Sequence, residues 1–205
     1  MSDGRTHTEQ GLERKHQLLE AAATLFSTKG YSNTRIADIC ASAGVAKGLM
    51  YWYFPTKESL FAELVRTMRL QLRRAQAAAM DPSADALTRI RQGTQASVVF
   101  MAEHRSYFAL LDVERADDEV AGVLRAGSDV YADDVIRLVR EAQAQRLIPD
   151  GDPRLAATGV LGAVSSFSHA LRTGSLAVDV DELAEFVGDW VQRALGGEPA
   201  TAPRT

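Results

Sequence analysis

Residues 34–57, TRIADICASAGVAKGLMYWYFPTK, have the pattern of two short helices joined by a tight turn. Side chains of the first helix recur at the spacing of a single helical face: Ile36, Ile39, Cys40 and Ala43. Thr34 stands where it would cap that helix by accepting backbone N–H bonds. Gly44 follows, and glycine adopts the positive φ that a sharp bend between helices requires. We therefore predict a helix-turn-helix, with Val45, Met50 and Phe54 packing its second helix onto the first.

The second of these helices is predicted to expose a set of aromatic, basic and small residues: Lys47, Gly48, Leu49, Tyr51, Trp52 and Tyr53. Successive residues point about 100° apart on a helix, so three consecutive aromatics cannot all fill one core. One of the three is expected to do so. Aromatic edges reach thymine methyls and phosphates, and lysines supply charge to the DNA backbone. The pattern is typical of a recognition helix in the major groove of DNA.

Charge is distributed unevenly along the chain. The net charge is −4, which by itself disfavours nucleic acid as a partner. Through Arg74, however, there are 11 Lys and Arg against 7 Asp and Glu, and beyond it 12 against 20. A basic N-terminal segment on an acidic remainder is expected if only one end meets DNA, although chance gives such asymmetry too.

The N-terminal part, residues 12–65, resembles the DNA-binding domain of the tetracycline-repressor (TetR) family. The resemblance lies in Gly30-Tyr31, Asp38-Ile39-Cys40, residues 43–48, residues 51–54 and Lys57-Glu58. It implies a homodimeric, all-helical transcription factor, usually a repressor, that a small molecule in the C-terminal domain releases from a palindromic operator. By position it also implies a set of DNA-contacting residues: Thr34, Arg35, Lys47, Gly48, Leu49, Tyr51, Trp52, Tyr53 and Lys57.

Two positions depart from the family pattern. Ala46 stands where a serine or threonine usually caps the recognition helix. The missing hydroxyl cap costs about 1 kcal/mol of local stability. Leu49 stands where a smaller or threonine-like residue is common, which favours apolar contact with a thymine methyl over a hydrogen bond.

The helical pattern persists through the rest of the chain, and no strand signal appears. We predict an all-α protein, with a three-helix DNA-binding domain over 1–56, a larger ligand-binding and dimerisation domain over 57–196, and a disordered tail over 197–205. The N-terminal domain is predicted to begin with a helix over 12–29. The larger domain is predicted to hold a linking helix from Lys57 to Met80 and further helices near 84–104, 106–114, 118–146, 153–173 and 181–195.

Two functions are predicted for the C-terminal domain. The helices near 153–173 and 181–195 carry small residues and an apolar stripe, which favours a four-helix interface with a second subunit, although part of each stripe must be intramolecular core. An effector of apolar or aromatic character is the second expectation, with core packing as the alternative for every candidate. The candidate lining residues are Met68, Leu72, Phe100, Met101, His104, Tyr107, Phe108, Tyr131, Phe167 and His169.

Other classes of protein are disfavoured. The sequence contains no nucleotide-binding, zinc-protease or serine-hydrolase motif, and its four histidines lack metal-ligand spacing, so neither enzyme, metal nor cofactor is expected. Cys40 stands alone, and no long apolar segment occurs, which favours a cytoplasmic protein with no membrane partner. A ligand-released repressor is the main hypothesis. A constitutive DNA-binding protein with a purely dimerising C-terminal domain is the second, and a helical enzyme carrying a helix-turn-helix is the third.

Overall fold

The computed structural model describes residues 9–108 and 132–196 of the 205-residue chain. Within those ranges every regular element is a helix, as the sequence predicts. The helices are α1 (Glu9–Lys29), α2 (Ile36–Ala43), α3 (Lys47–Tyr53), α4 (Lys57–Ala79), α5 (Ala86–Glu103), α6 (132–144), α7 (Pro153–Thr173) and α8 (Val180–Ala194), with a short helical segment at 105–108. No helix in the described ranges combines the length and apolar character needed to cross a bilayer.

The chain divides into two compact units. Within the described residues, the N-terminal unit extends to Met68 and also includes 106–108, and the C-terminal unit holds Arg69–Arg105 and the chain from 132 onward. The predicted domain boundary, between residues 56 and 57, lies at the start of α4, whereas the observed division lies inside that helix. Leu60 and Phe61, in the first turns of α4, are buried in the core of the N-terminal unit. This burial makes the start of α4 part of that unit. The predicted tail, 197–205, lies outside the described residues.

Three aromatic rings form the centre of the N-terminal unit. The Phe26, Tyr31 and Phe61 rings are buried, and their centroids lie 5.2 to 5.8 Å apart in tilted and edge-to-face pairs. Such pairs contribute about 0.5–1.5 kcal/mol beyond the area they bury. The core thereby holds α1, the loop after it and α4 together.

Glycines terminate two helices of this unit. Gly30 follows α1 with φ 81°, and Gly44 follows α2 with φ 64°, both in the left-handed region. Val45, Met50 and Phe54 are buried beyond the turn, as predicted. The helix-turn-helix is therefore confirmed.

The predicted capping role of Thr34 is wrong. Arg35 occupies the N-cap position of α2, and no side chain caps that helix. The Thr34 hydroxyl instead donates backwards, to the carbonyls of Gly30 at 2.8 Å and Leu25 at 3.3 Å. The side chain is only 1% exposed, so it closes the loop after α1 from the inside.

The C-terminal unit packs α5 against α7 and α8 around an aliphatic core. Its helices are capped by aspartates: the carboxylates of Asp85, Asp152 and Asp179 accept backbone N–H bonds at the starts of α5, α7 and α8. Proline at the first position of α7 and Gly174 at its end agree with the prediction for 153–173. The helices predicted near 84–104 and 181–195 are also present, within two residues at either end. Residues 109–131, where two further predicted helices fall in part, lie outside the described ranges.

Candidate functional site

Helix α3 presents the exposed surface that the sequence predicts. Its anchor is Met50, which is completely buried. Around that anchor Leu49 is 37% exposed, Tyr51 51% and Trp52 44%, although large side chains of this kind are usually buried. Lys47 and Gly48, at the start of the helix, are exposed as well. Apolar, aromatic and basic groups therefore share one accessible surface, which we call the α3 surface.

The three consecutive aromatics have different environments, as helical geometry requires. Tyr53 is only half-buried, with its ring edge-on to Trp52 at 4.7 Å and tilted toward the buried Phe54 at 6.3 Å. Tyr53 therefore links the core to the α3 surface, while Tyr51 and Trp52 remain accessible.

The start of α3 has no side-chain cap. Ala46 holds the N-cap position with extended backbone (φ −65°, ψ 141°), and its methyl group cannot accept a bond from the N–H groups there. A hydroxyl at this position would accept one of those bonds. The departure from the family pattern at Ala46 thus has the structural consequence expected from the sequence.

Lys57, a predicted DNA contact, holds two parts of the N-terminal unit together. Its Nζ donates to the carbonyls of Tyr31 at 3.0 Å and Thr34 at 3.4 Å, and lies 4.1 Å from the centre of the Tyr31 ring. The next residue, Glu58, accepts a bond from the Tyr31 hydroxyl at 3.2 Å. We call this arrangement the Lys57 clamp; it fixes the start of α4 to the loop before α2. The sequence did not reveal Tyr31 as the partner of Lys57, because the contact involves only the backbone carbonyl and the ring of Tyr31.

Two other predicted contacts occupy different positions. Arg35 is exposed at the start of α2, which leaves its guanidinium accessible to a phosphate. Thr34 is buried and bonded to backbone carbonyls, so its side chain cannot reach a ligand at the surface without leaving the loop. The Thr34 side chain is therefore not part of the exposed surface.

A carboxylate joins α1 and α4 on the same unit. Glu63 accepts a bond from Lys15 at 2.5 Å and a two-pronged bond from Arg66, with both N–O distances 2.7 Å. The hydrogen bonds from Arg66, followed by the single hydrogen bond and the charge of Lys15, lower the pKa of Glu63 from 4.5 to about 2. The carboxylate is consequently charged at neutral pH and holds α1 to α4.

The C-terminal unit contains a small, partly open cavity. The space open to the centre of a water molecule is about 20 Å³, and roughly 10–15 Å³ suffices for one water. Its walls are aliphatic and neutral polar side chains from α4, α5, α6 and α7, with Met80 just after α4: Gln76, Met80, Ile90, Gly93, Thr94, Ser97, Val135, Leu138, Val160 and Val164. Gln76 donates through Nε2 to the Ser97 hydroxyl at 2.9 Å, and that hydroxyl donates to the Gly93 carbonyl at 2.6 Å.

None of the predicted ligand residues that the structure describes lines this cavity. Phe100 is buried and stacks on the His104 ring at 4.0 Å, while Tyr107 is buried edge-on to Phe108 at 5.0 Å. The aromatic rings thus pair with one another. Met68 and Leu72 are buried on α4, and Met101 is half-buried on α5. Tyr131 lies outside the described residues.

The remaining two predicted ligand residues lie on the outer side of α7. Phe167 packs edge-on against Phe186 at 5.7 Å and Trp190 at 6.2 Å, both on α8. Those two rings are 49% and 42% exposed. His169 is exposed and lies 3.1 Å from an Arg172 nitrogen. Phe167, Phe186 and Trp190 form an aromatic cluster on the surface of the C-terminal unit, which we call the α7–α8 face.

Two protein-family models match the chain. The model of bacterial regulatory proteins of the tetR family matches residues 18–64, and that of the tetracyclin repressor-like C-terminal domain matches residues 83–174. Together they match more than half of the chain. The first match contains the whole helix-turn-helix, and the second contains α5 and α7.

Individual relatives agree with these matches. YdgC of Bacillus subtilis, an uncharacterized HTH-type transcriptional regulator, is 35% identical over 65 residues, 32% of this chain and 33% of that protein. The HTH-type transcriptional regulator BetI of Cronobacter sakazakii is 27% identical over 188 residues, covering 91% of this chain and 82% of that protein. The chain thus spans about a third of the length of YdgC. A crystal structure of a TetR-like regulator from Rhodococcus sp. RHA1 superposes with a TM-score of 0.72 at 25% identity, covering 90% of this chain and 97% of that one.

Proposed function

Because this chain belongs to the TetR family of bacterial regulatory proteins, a family of DNA-binding transcription factors and not of enzymes, we propose that it is a homodimeric repressor. In this proposal two copies bind a palindromic operator through their α3 surfaces, and a small uncharged effector in the C-terminal unit releases them. The observation that carries the proposal is the α3 surface, where accessible aromatic and apolar side chains surround one buried anchor, Met50.

The proposed DNA contacts divide into two kinds. Leu49, Tyr51 and Trp52 supply apolar and aromatic surface for base edges, which carry sequence information. Lys47 and Arg35 supply exposed positive charge for phosphates, which fix position but carry little sequence information. Gly48 lies on open surface, where a Cβ would meet nothing within 4 Å in the free protein. Because it has no side chain, the α3 backbone can approach DNA closely at this position. Tyr53 positions Trp52.

Lys57 has a different role in this proposal. Its ammonium is held by two carbonyls of the loop before α2, and this bonding orients the start of α4. A phosphate bound by Lys57 would therefore share the ammonium group with these two carbonyls. Its removal is therefore expected to disturb the whole N-terminal unit, besides lowering the salt dependence of binding.

The α7–α8 face is the proposed contact between the two copies. Phe186 and Trp190 are large rings with nearly half their surface exposed, and Gly159 and Gly162 lie on α7, where a Cβ would meet nothing within 4 Å. Aromatic rings are enriched at protein interfaces, and small residues allow helices of two subunits to approach closely. A two-fold interface through these helices gives a dimer with two α3 surfaces, the number that a palindromic operator requires.

The alternative is a constitutive DNA-binding protein whose C-terminal domain only dimerises. The small volume of the cavity favours it, because sites for organic ligands measure roughly 300–1,000 Å³. Release by an effector requires a molecule that binds the DNA-free arrangement better than the DNA-bound one. A screen of uncharged metabolites for both thermal stabilisation and loss of DNA binding separates the two possibilities.

The central test is selection of bound duplexes from a random DNA pool, followed by footprinting. We expect a palindrome whose half-sites lie on one face of the duplex, about 34–36 Å or somewhat more apart. Leu49→Ala is expected to change the preferred bases at particular positions. Leu12→Ala, at another exposed leucine of the same unit, is the matched control and should leave both affinity and preference unchanged.

Three outcomes would contradict parts of the proposal. A single asymmetric half-site bound with full affinity by a monomer would exclude the two-fold arrangement. Equal loss of preference in Leu49→Ala and Leu12→Ala would remove α3 as the reading helix. Phe186→Asp should shift the mass measured by light scattering from dimer to monomer, and an unchanged mass would exclude the α7–α8 face.

A further inference from the structure

We propose that Met80 is a displaceable plug over a ligand pocket, and that the ligand is a small uncharged molecule with an aliphatic body and one hydrogen-bonding end. The proposal rests on the effector-released function given above and names the chemistry and the gate of its site. It concerns the cavity between α4, α5, α6 and α7 of the C-terminal unit.

The plug is defined by Met80 and Gly93. An ideal Cβ at Gly93 would lie 2.3 Å from the Met80 methyl carbon, so the thioether end occupies the space that any larger residue would fill. Methionine has three rotatable side-chain bonds and changes shape at low cost. Met80 also lies one residue beyond α4 and is only partly buried, which leaves a route outward for its side chain. Its departure would add the volume of three heavy atoms to the cavity.

The polar end of the pocket consists of neutral groups. Gln76 and Ser97 are buried and bonded to each other, and the buried Thr94 lines the same cavity. Burying hydroxyls and an amide is costly unless they are bonded, so a ligand that enters here must replace any hydrogen bond that it breaks. A ligand hydroxyl would do so by accepting from the Gln76 amide in place of Ser97 and donating to the Ser97 oxygen in return.

The wall composition selects against other ligands. Every residue that lines the described cavity is aliphatic, methionine, glycine or neutral polar, with no charged side chain and no ring among them. A carboxylate or ammonium among these walls would lose part of its hydration without gaining a counter-charge. The aromatic effector suggested by the sequence would have no ring to stack on here.

Methyl NMR tests the plug directly. The chain contains five methionines, so labelling them with ¹³C at the methyl gives few signals, and loss of one signal in Met80→Leu assigns it. The probes are 1-butanol, butyrate and butylammonium, which share one aliphatic body and differ in charge. We expect 1-butanol to shift the Met80 signal in a saturable way, while the two ions leave it unchanged. The same titration at the half-buried Met101 is the internal control, because Met101 does not line the cavity.

Two variants test the pocket independently of the plug signal. Met80→Ala removes the plug and should bind 1-butanol several-fold more tightly, as measured by calorimetry, whereas Met101→Ala should bind like the unmodified protein. Ser97→Ala should weaken 1-butanol binding about five-fold through loss of one neutral hydrogen bond. If Ser97→Ala does not fold, Thr94→Val tests the same polar end.

The results distinguish this proposal from the repressor function. Failure of 1-butanol both to shift the Met80 signal and to bind Met80→Ala more tightly would overturn the plug. So would equal binding of butyrate or butylammonium. A protein that selects a palindromic operator yet shows neither effect retains the DNA-binding function and loses this pocket. A protein that binds 1-butanol at Met80 without selecting a palindrome retains the pocket and loses the repressor function.

Discussion

The two units of this protein solve the problem of forming a core in opposite ways. In the N-terminal unit, three aromatic rings contact one another inside, while other aromatics lie outside on α3. In the C-terminal unit the core is mainly aliphatic, contains the bonded pair Gln76 and Ser97, and leaves a cavity. Contacting aromatic rings thus form the core of the unit proposed to bind DNA, and a core with a cavity occurs in the unit proposed to bind an effector.

The largest expected effect is in the aromatic core. Phe61→Ala should lower the free energy of unfolding by about 3–5 kcal/mol, because it empties the centre of a cluster that includes Phe26 and Tyr31. Urea denaturation followed by circular dichroism measures it. Tyr51→Ala, at an exposed ring of the same unit, should cost less than about 0.5 kcal/mol. Similar losses for both variants would mean that Phe61 is not at the centre of a closely packed core.

A smaller effect tests how closely α5 and α8 pack in the C-terminal unit. A Cβ at Gly188 would lie 2.8 Å from Gln95 Cγ and 3.2 Å from Arg91 Cγ, so Gly188→Ala should cost about 1–3 kcal/mol. Gly162→Ala is the control, since a Cβ there meets nothing within 4 Å, and it should stabilise the folded monomer by about 0.5–1 kcal/mol. An unchanged free energy of unfolding in Gly188→Ala would show that the side chains of Gln95 and Arg91 move aside at little cost.

Acid should affect the N-terminal unit through Glu63. Its folded pKa of about 2 lies below the unfolded value near 4.5, so the ion pairs stabilise the fold above pH 4.5 and this stability is lost as the pH falls toward 2. The contribution is about 1 kcal/mol, because Arg66 is solvent-exposed. Glu63→Gln should lose this amount at pH 7 and show a flatter decline in acid. Parallel pH profiles for both proteins would exclude the assignment.

The smallest effect concerns helix caps. Aspartates cap α5, α7 and α8, whereas α3 begins at Ala46 with no side-chain cap. Ala46→Ser should therefore stabilise the N-terminal unit by about 0.5–1 kcal/mol, measured by thermal denaturation. Asp152→Ala, which removes an existing cap, should cost a similar amount. No gain from Ala46→Ser would mean that the start of α3 is already satisfied in another way.

Helix boundaries were predictable because local residues set them. Gly30, Gly44 and Gly174 end helices in the left-handed region, and Asp152 with Pro153 starts one. Each boundary depends on a few neighbours in the chain, so the sequence reveals it directly. Cap chemistry was less predictable: Thr34 has the right residue type for a cap but donates its hydroxyl back to the preceding loop.

The exposed surface of α3 was also predictable, because consecutive aromatics cannot share one helical face. The cavity was not predictable. It depends on Met80 fitting over Gly93, and on Gln76 meeting Ser97, and both pairs come together only when α4 packs on α5. The aromatic residues favoured as a ligand site instead pack on one another. Ring content therefore indicated burial without indicating which buried residues surround a void.

The two tryptophans of the chain lie in different units, one on each proposed contact surface. Trp52 lies on the α3 surface and Trp190 on the α7–α8 face, and both rings are partly accessible to solvent. Replacing either with phenylalanine leaves a single tryptophan, which can be excited at the long-wavelength edge of its absorption, where the five tyrosines absorb little. The emission of a Trp190→Phe protein then reports events at α3, and that of a Trp52→Phe protein reports events at α8. The molecule thus carries its own pair of optical reporters, one for each surface.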